Sequence, residues 1–163
     1  MIVNTYKYLK ENFKCFKREE YRKYNISDES KKVLCDIGLP NIKLNFIDLC
    51  HAEIENIYLE NELIVIGNDY GTLICINSKN EIVAFDQENE YPLRFINNSL
   101  KCLLNFLIIY ISYQNKLYNL TDEQIEKEIQ EIRKKFNKID KRALENEENW
   151  WSIILEQLEL GLI

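Results

Sequence analysis

The sequence predicts an α+β fold in which a single antiparallel sheet of about five strands is flanked by N-terminal and C-terminal helices. Apolar residues recur at helical spacing near both ends of the chain, whereas the middle contains short runs rich in Ile, Val and Phe. The links between the last four runs are too short for parallel crossovers. Of the 163 residues, 46% are hydrophobic and 29% are charged. This composition is typical of one globular domain, so we expect a single domain over residues 1–163.

Two helices are predicted before the strands. The first covers residues 4–18, where apolar side chains fall at helical spacing: Tyr6, Leu9, Phe13 and Phe16. The second begins at Ser27 or Asp28, either of which is a good N-cap, and ends at Gly38, just before Pro40. Both helices are expected to help cover the sheet.

Five strands are predicted in the middle, at residues 43–49, 63–66, 72–77, 82–86 and 93–96. The second and fourth are apolar without alternation, so both faces of the sheet should be covered, with the flanking helices as the cover. Residues 67–71 should form a hairpin turn, because Gly67, Asn68 and Gly71 tolerate positive φ. Alternate turns of a meander lie at the same end of a sheet. The turn at 67–71 and the loop at 87–92 are therefore expected to share an end.

Three helices are predicted after the strands. The first begins after Asn98 or Ser99 and is apolar on most sides, which is typical of a core helix or of one at an interface. A capping box, Thr121-Asp-Glu-Gln, opens the second. The last contains Trp150 and Trp151, for which core packing is the default, although one can face the core while the other lies near its boundary and contacts a partner.

The charge of the chain is unevenly distributed. The net charge is −6, but residues 48–90 contain ten acids and one base, which gives that segment −9. Such a segment repels phosphates and suits a basic protein partner better than nucleic acid. The alternative is that these acids only keep the surface soluble.

The predicted location is the cytoplasm. No secretory signal opens the sequence, and no apolar run is long enough to span a membrane. The five cysteines are odd in number, widely spaced and without a CxxC motif, which favours reduced thiols. We expect no contact with a membrane.

Few residues are candidates for catalysis or metal binding. His51 is the only histidine, and neighbouring Cys50 would point to the opposite face of a strand. Carboxylates spaced by two could hold a cation or exchange protons, although a solvated edge explains them better: Glu53, Glu55, Glu60 and Glu62. The 67–71 turn lacks the lysine and the helix of a phosphate loop. We therefore predict no catalytic residue, no metal and no cofactor.

Three segments carry a family resemblance. They are Asp36-Ile-Gly-Leu-Pro, then Leu63-Ile-Val-Ile-Gly-Asn-Asp-Tyr-Gly-Thr-Leu-Ile-Cys-Ile-Asn, then Arg94-Phe-Ile-Asn-Asn-Ser-Leu. In this order and spacing they resemble the SUKH superfamily of bacterial immunity proteins, which is related to a yeast cell-wall regulator group. The resemblance covers residues 27–110 and leaves a C-terminal helical extension at 121–160. Tyr70 stands where the turn of the family usually has a small residue.

The resemblance implies an α+β domain without enzymatic activity. Members are thought to bind and neutralise a cognate polymorphic toxin. Many such toxins are nucleases or deaminases, and they are often basic. Toxin contacts vary among immunity proteins, so the partner-binding residues are predicted here from charge and exposure, in two loops: Asp69, Tyr70, Asp86, Glu88, Glu90 and Tyr91.

The predicted mechanism is stoichiometric inhibition, in which the acidic sheet region occludes the toxin and Tyr70 or Tyr91 anchors it. Two alternatives stay open. One is a scaffold or regulator of the same fold. The other is a binder of nucleotides or small molecules, or an enzyme, that uses the carboxylates of residues 53–62. The sequence does not predict the oligomeric state.

Overall fold

A short N-terminal sheet stands where the end of the first helix is expected. The computed structural model describes residues 13–49, 55–58, 62–86, 88, 93–117 and 120–163. The elements before the main sheet are β1 (Phe13–Lys14), α1 (Arg18–Tyr21), α2 (Asp28–Lys32), a π-helical turn (Val33–Ile37) and β2 (Leu39–Pro40). Because β1 pairs with β2, the prediction of a helix over 4–18 is wrong at residues 13–17, and its residues 4–12 lie outside the described residues.

Gly38 allows the backbone of β1 to lie close to the segment that leads into β2. A Cβ atom at this position would lie 2.5 Å from the backbone oxygen of Lys14, and the φ angle of Gly38 is +88°. Only glycine meets both conditions without strain. The helix predicted from Ser27 is confirmed: the Ser27 hydroxyl accepts a 3.1 Å hydrogen bond from the Ser30 N–H, and the helical stretch ends at Gly38.

The main sheet has more strands than expected. They are β3 (Lys43–Leu44), β4 (Ile47–Asp48), β5 (Glu55–Tyr58), β6 (Glu62–Asp69), β7 (Thr72–Ile76), β8 (Ile82–Asp86) and β9 (Arg94–Asn97). All pairings are antiparallel in the order β3-β4-β6-β7-β8-β9, and β5 also pairs with β6, which makes seven strands. The α+β class and the antiparallel pairing are confirmed. The single sheet of about five strands is imprecise, because the turn at Asn45–Phe46 splits one predicted strand and β5 is additional.

The two faces of the sheet are covered differently. One face packs against the helices through isoleucines that are at most 2% exposed: Ile64, Ile66, Ile74, Ile76, Ile82 and Ile96. The other face holds a smaller cluster that is at most 8% exposed: Leu63, Val65, Cys75 and Val83. Burial of both faces is therefore confirmed. No helical side chain of the described residues belongs to the second cluster, so the helices that the structure describes cover one face only.

The helices after the sheet begin as the sequence predicts. They are α3 (Leu100–Leu117), α4 (Asp122–Ile139), a 3₁₀ turn (Lys141–Leu144) and α5 (Trp150–Glu159). The Ser99 hydroxyl caps α3 by accepting from the Cys102 N–H at 3.2 Å, and the capping box of Thr121 and Gln124 is present on α4. None of the described helices is long and apolar enough to cross a membrane.

Both tryptophans of α5 lie in the core. Trp150 is 2% exposed and Trp151 is 0% exposed. Core packing is therefore confirmed for both tryptophans, and neither lies near the boundary. The reason is aromatic packing from two sides: Phe46 from the β3–β4 turn contacts both indoles, and Phe106 of α3 contacts Trp151 with ring centroids 5.4 Å apart.

A candidate binding surface at one end of the sheet

Tyr70 is displayed at the tip of the β6–β7 hairpin. Asp69 pairs with Thr72, so Tyr70 and Gly71 form a two-residue turn. Both have positive φ, 43° for Tyr70 and 103° for Gly71, as the tightest hairpin turns require. Bulky residues rarely adopt this backbone conformation. The tyrosine is nevertheless 77% exposed, so its side chain does not repay the strain by packing into the core.

Gly67 lies in the strand and not in the turn. The predicted turn over 67–71 is correct for Gly71, whereas Gly67 and Asn68 belong to β6 and do not have positive φ. A Cβ atom on Gly67 would lie 2.3 Å from Leu49 Cδ2 and 2.9 Å from the backbone oxygen of Asp48. Glycine is therefore needed here for the close approach of the segment that includes β4.

Asp69 faces inward from the last position of β6. Its Oδ2 accepts a 3.1 Å hydrogen bond from the indole N–H of Trp150. Burial raises the pKa of the Asp69 carboxyl. The hydrogen bond from Trp150 and the positive charge of Arg94 lower this pKa, but burial is the larger effect, so the pKa lies above its usual value. Asp69 thus fastens the base of the Tyr70 turn to the first residue of α5.

Aromatic packing holds the Trp150 indole that donates this hydrogen bond. The ring of Phe46 lies 5.4 Å from that of Trp150, and the two indoles of Trp150 and Trp151 lie 4.9 Å apart, in edge-on arrangements. Such pairs add stability beyond the area that they bury. The tip that carries Tyr70 therefore stands on a packed base.

The second acidic loop reaches the same end of the sheet. Thr72 pairs with Asp69 on one side and with Asp86 on the other, so the three residues form one row across β6, β7 and β8. Residues in one row point to the same face of a sheet. Asp86 Oδ1 accepts a 3.0 Å hydrogen bond from the backbone N–H of Glu88, which directs the chain beyond β8. The expectation of a shared end is confirmed for these residues, while Glu90 and Tyr91 lie outside the described residues.

This end of the sheet is acidic but not uniformly so. Lys43 Nζ lies 3.6 Å from an oxygen of Asp48, and Arg94 acts on Asp69 as noted above. Both cations come from outside residues 48–90. Two acids of that segment lie at the opposite end of the sheet: Glu62 begins β6, and Glu81 precedes β8, where Arg142 pairs with it. The negative charge is therefore divided between the two ends.

A buried polar network holds the opposite end. Trp151 donates its indole N–H to Asn97 Oδ1 at 3.0 Å, and Asn97 donates its amide to Asp140 Oδ2 at 3.1 Å. Asp140 also accepts from the backbone N–H and the side-chain amide of Asn98, at 2.7 and 2.6 Å. The first two residues of α5, Trp150 and Trp151, therefore bond Asp69 and Asn97, which lie toward opposite ends of the sheet.

Several candidate residues for catalysis or metal binding are not among the described residues. His51, Cys50, Glu53 and Glu60 lie outside the described residues. Within the part of the chain that the structure describes, no group of three His, Cys, Asp or Glu residues is placed to hold a metal ion. What the described residues do form is an exposed aromatic tip beside carboxylates, an arrangement suited to contact with another protein.

Comparison with known proteins identifies the family. The model of the SUKH-4 immunity protein family matches residues 11–157. This chain belongs to the SUKH-4 immunity protein family. The family match extends beyond residues 27–110 at both ends and includes both tryptophans of α5. No curated protein and no solved structure matches the chain. The resemblance to the SUKH superfamily is thus confirmed, and membership suggests an immunity role with a cognate toxin as partner.

Sequence reasoning missed the residues that support the Tyr70 tip. Trp150 lies 81 positions from Asp69, and Arg94 lies just outside the acidic segment. In the sequence, only the tryptophan pair could have indicated such a contact, because a buried indole N–H needs a hydrogen-bond acceptor.

Proposed function

We propose that this chain is an immunity protein that binds a cognate toxin and neutralises it by stoichiometric inhibition, without catalysis of its own. The toxin would be a bacterial polymorphic toxin, and the complex would form in the cytoplasm of the producing cell. Family membership supports the general role. The proposed contact surface is the end of the sheet that carries Tyr70.

The conformation of Tyr70 is the main reason for proposing this end of the sheet as the toxin-binding surface. A residue with φ of 43° and 77% exposure gives up backbone stability without gaining burial in its own fold. Large exposed aromatics on a rigid base are typical of residues that dominate binding energy. We infer that burial of the Tyr70 ring against the toxin offsets the strain.

The carboxylates beside Tyr70 suggest a basic partner. Asp86 and Glu88 flank the tip, and the sequence places Glu90 and Tyr91 in the same loop. Acidic groups at the rim of an interface accelerate encounter with a basic surface and disfavour acidic partners. A nuclease has a basic substrate groove, so occlusion of such a groove is the proposed mechanism. The main role of Asp69 is to support the turn through its hydrogen bond with Trp150.

The role is tested by co-expression with the product of a neighbouring large reading frame. If that product is toxic alone, this chain should restore growth and co-purify with it in a 1:1 complex. Failure of both rescue and co-purification contradicts the immunity role and favours a scaffold or regulator of the same fold. If rescue persists in Asp86→Lys/Glu88→Lys, the immunity role stands but the acidic mechanism is wrong.

A further inference from the structure

A second surface lies between the start of α4 and the end of α5. These two helix ends enclose an open groove of about 700 Å³. Its apolar part consists of Ile125, Leu158 and Leu160. Leu158 is 9% exposed and forms the floor, whereas Leu160 is 65% exposed. The groove therefore offers leucine and isoleucine side chains to an occupant.

Carboxylates surround this apolar floor. Asp122, Glu123 and Glu126 lie along the first turns of α4, and Glu159 lies at the end of α5. The described residues that line the groove include no lysine and no arginine. The start of α4 stabilises Asp122 and Glu123, because the helix dipole is positive there, while the end of α5 adds partial negative charge to the groove.

Part of this charge is already balanced by exposed ion pairs. Lys127 contacts Glu123 at 3.3 Å, and Arg133 contacts Glu159 at 3.2 Å. Among the ion pairs of the described residues, none involves Glu126. Glu126 is exposed on α4, one helical turn from Asp122 and from Gln130, which also line the groove. An exposed carboxylate at this position can meet a cation from outside.

We propose that this groove docks an amphipathic helix of a partner protein that carries lysines or arginines on one side and leucine-like residues on the other. The apolar side would cover Leu158 and Leu160, and the cations would meet Glu126 and its neighbours. This is the usual mode by which a groove takes an amphipathic helix. Charge complementarity selects the occupant, because nucleic acid and anionic membranes are repelled by the same carboxylates.

The groove is separate from the Tyr70 surface. Trp150 begins α5 beside Asp69, and Leu158 lies eight residues further along the helix, about 12 Å at the α-helical rise. The proposal thus concerns a second contact and does not depend on the toxin binding at Tyr70.

The test uses a synthetic 15-residue helical peptide that has leucines on one face and lysines on the other. Binding to the full chain is measured by fluorescence anisotropy, with a peptide of glutamates in place of lysines as the negative control. The variant Glu126→Lys/Leu160→Ser should raise the Kd for the lysine peptide by at least about tenfold. Glu147→Lys/Ile37→Ser makes the same chemical changes at exposed positions away from the groove and should change the Kd by less than about twofold.

Three results would overturn the proposal. The first is no binding of the lysine peptide. The second is an equal loss of affinity in both variants, which would mean that net charge alone attracts the peptide. The third is self-association of the wild-type chain in sedimentation velocity that Glu126→Lys/Leu160→Ser abolishes, which would assign the groove to a second copy of the chain. Urea unfolding of each variant verifies that it is folded.

Discussion

Trp150 donates its indole N–H to the Asp69 carboxylate across 81 positions of sequence, and this contact ties the first residue of the last helix to the base of an exposed hairpin tip. The donor is a core residue at 2% exposure, and the acceptor ends the strand that leads into Tyr70. The hydrogen bond holds the strand end from which the two-residue turn presents Tyr70. Trp150 of α5 thereby supports the proposed binding surface while its own side chain stays buried.

The Trp150–Asp69 hydrogen bond should be measurable as a coupling energy. Trp150→Phe removes the donor and Asp69→Ala removes the acceptor. In a double-mutant cycle followed by urea unfolding, the two changes should be less than additive by about 1–2 kcal/mol. Strict additivity would mean that the contact contributes nothing. The pair Trp151→Phe and Asp69→Ala serves as control, because Trp151 bonds Asn97 instead.

The pH dependence of stability should report the burial of Asp69. Burial raises the pKa of this carboxyl above its value of 3.8 in the unfolded chain. The folded state therefore binds the proton more tightly, and the stability linked to Asp69 is fully present below pH 3.8 and is lost as the pH rises through the folded pKa. Asp69→Asn keeps an acceptor for Trp150 but does not ionise. Its free energy of unfolding relative to wild type should rise between acidic and neutral pH, and a constant or falling difference would be inconsistent with this explanation.

Gly67→Ala should destabilise the protein by overpacking. The new methyl group would meet Leu49 Cδ2 at 2.3 Å and the Asp48 backbone oxygen at 2.9 Å, and only the leucine can move aside easily. We expect a loss of about 1–3 kcal/mol in the free energy of unfolding, together with faster hydrogen exchange of the β4 amides. Gly161→Ala has open space around its Cβ, so it should leave β4 exchange unchanged. Slow β4 exchange in Gly67→Ala would argue against the close approach.

Asp140→Ala should be among the most destabilising single changes. The carboxylate is 3% exposed and accepts three hydrogen bonds, from Asn97 and Asn98. Its removal leaves three donors without their acceptor, and we expect a loss of about 2–4 kcal/mol. Glu145→Ala nearby breaks only an exposed 3.6 Å ion pair with Lys141 and should change stability by less than about 1 kcal/mol. Equal effects of the two variants in urea unfolding would contradict the role of the network.

Local patterns in the sequence predicted the local structure well. The caps at Ser27, Ser99 and Thr121 and the turn at Gly71 depend on residues a few positions apart, so the pattern and its cause lie together. The shared end of two loops followed from the alternation of a meander, which is also a chain-order argument.

Long-range contacts could not be predicted in the same way. Phe13 has helical spacing with its neighbours, yet it pairs with Pro40 in a strand because Gly38 admits the backbone of Lys14. The inward orientation of Asp69 depends on an indole from the other end of the chain. The predicted turn over residues 67–71 includes Tyr70, but the positive φ of Tyr70 follows from the two-residue turn, which only the register between β6 and β7 determines.

The most direct measurement of the central claim is the effect of Tyr70→Asn on two quantities, the free energy of unfolding and the Kd for the toxic partner identified by co-expression. Asparagine adopts positive φ more readily than tyrosine, so the variant should be at least as stable as wild type. Loss of the exposed ring should nevertheless weaken toxin binding by about thirtyfold, equivalent to about 2 kcal/mol. Ile37→Asn, at another exposed apolar position, should leave the Kd unchanged. An unchanged Kd for Tyr70→Asn would contradict the assignment of this end of the sheet as the toxin-binding surface.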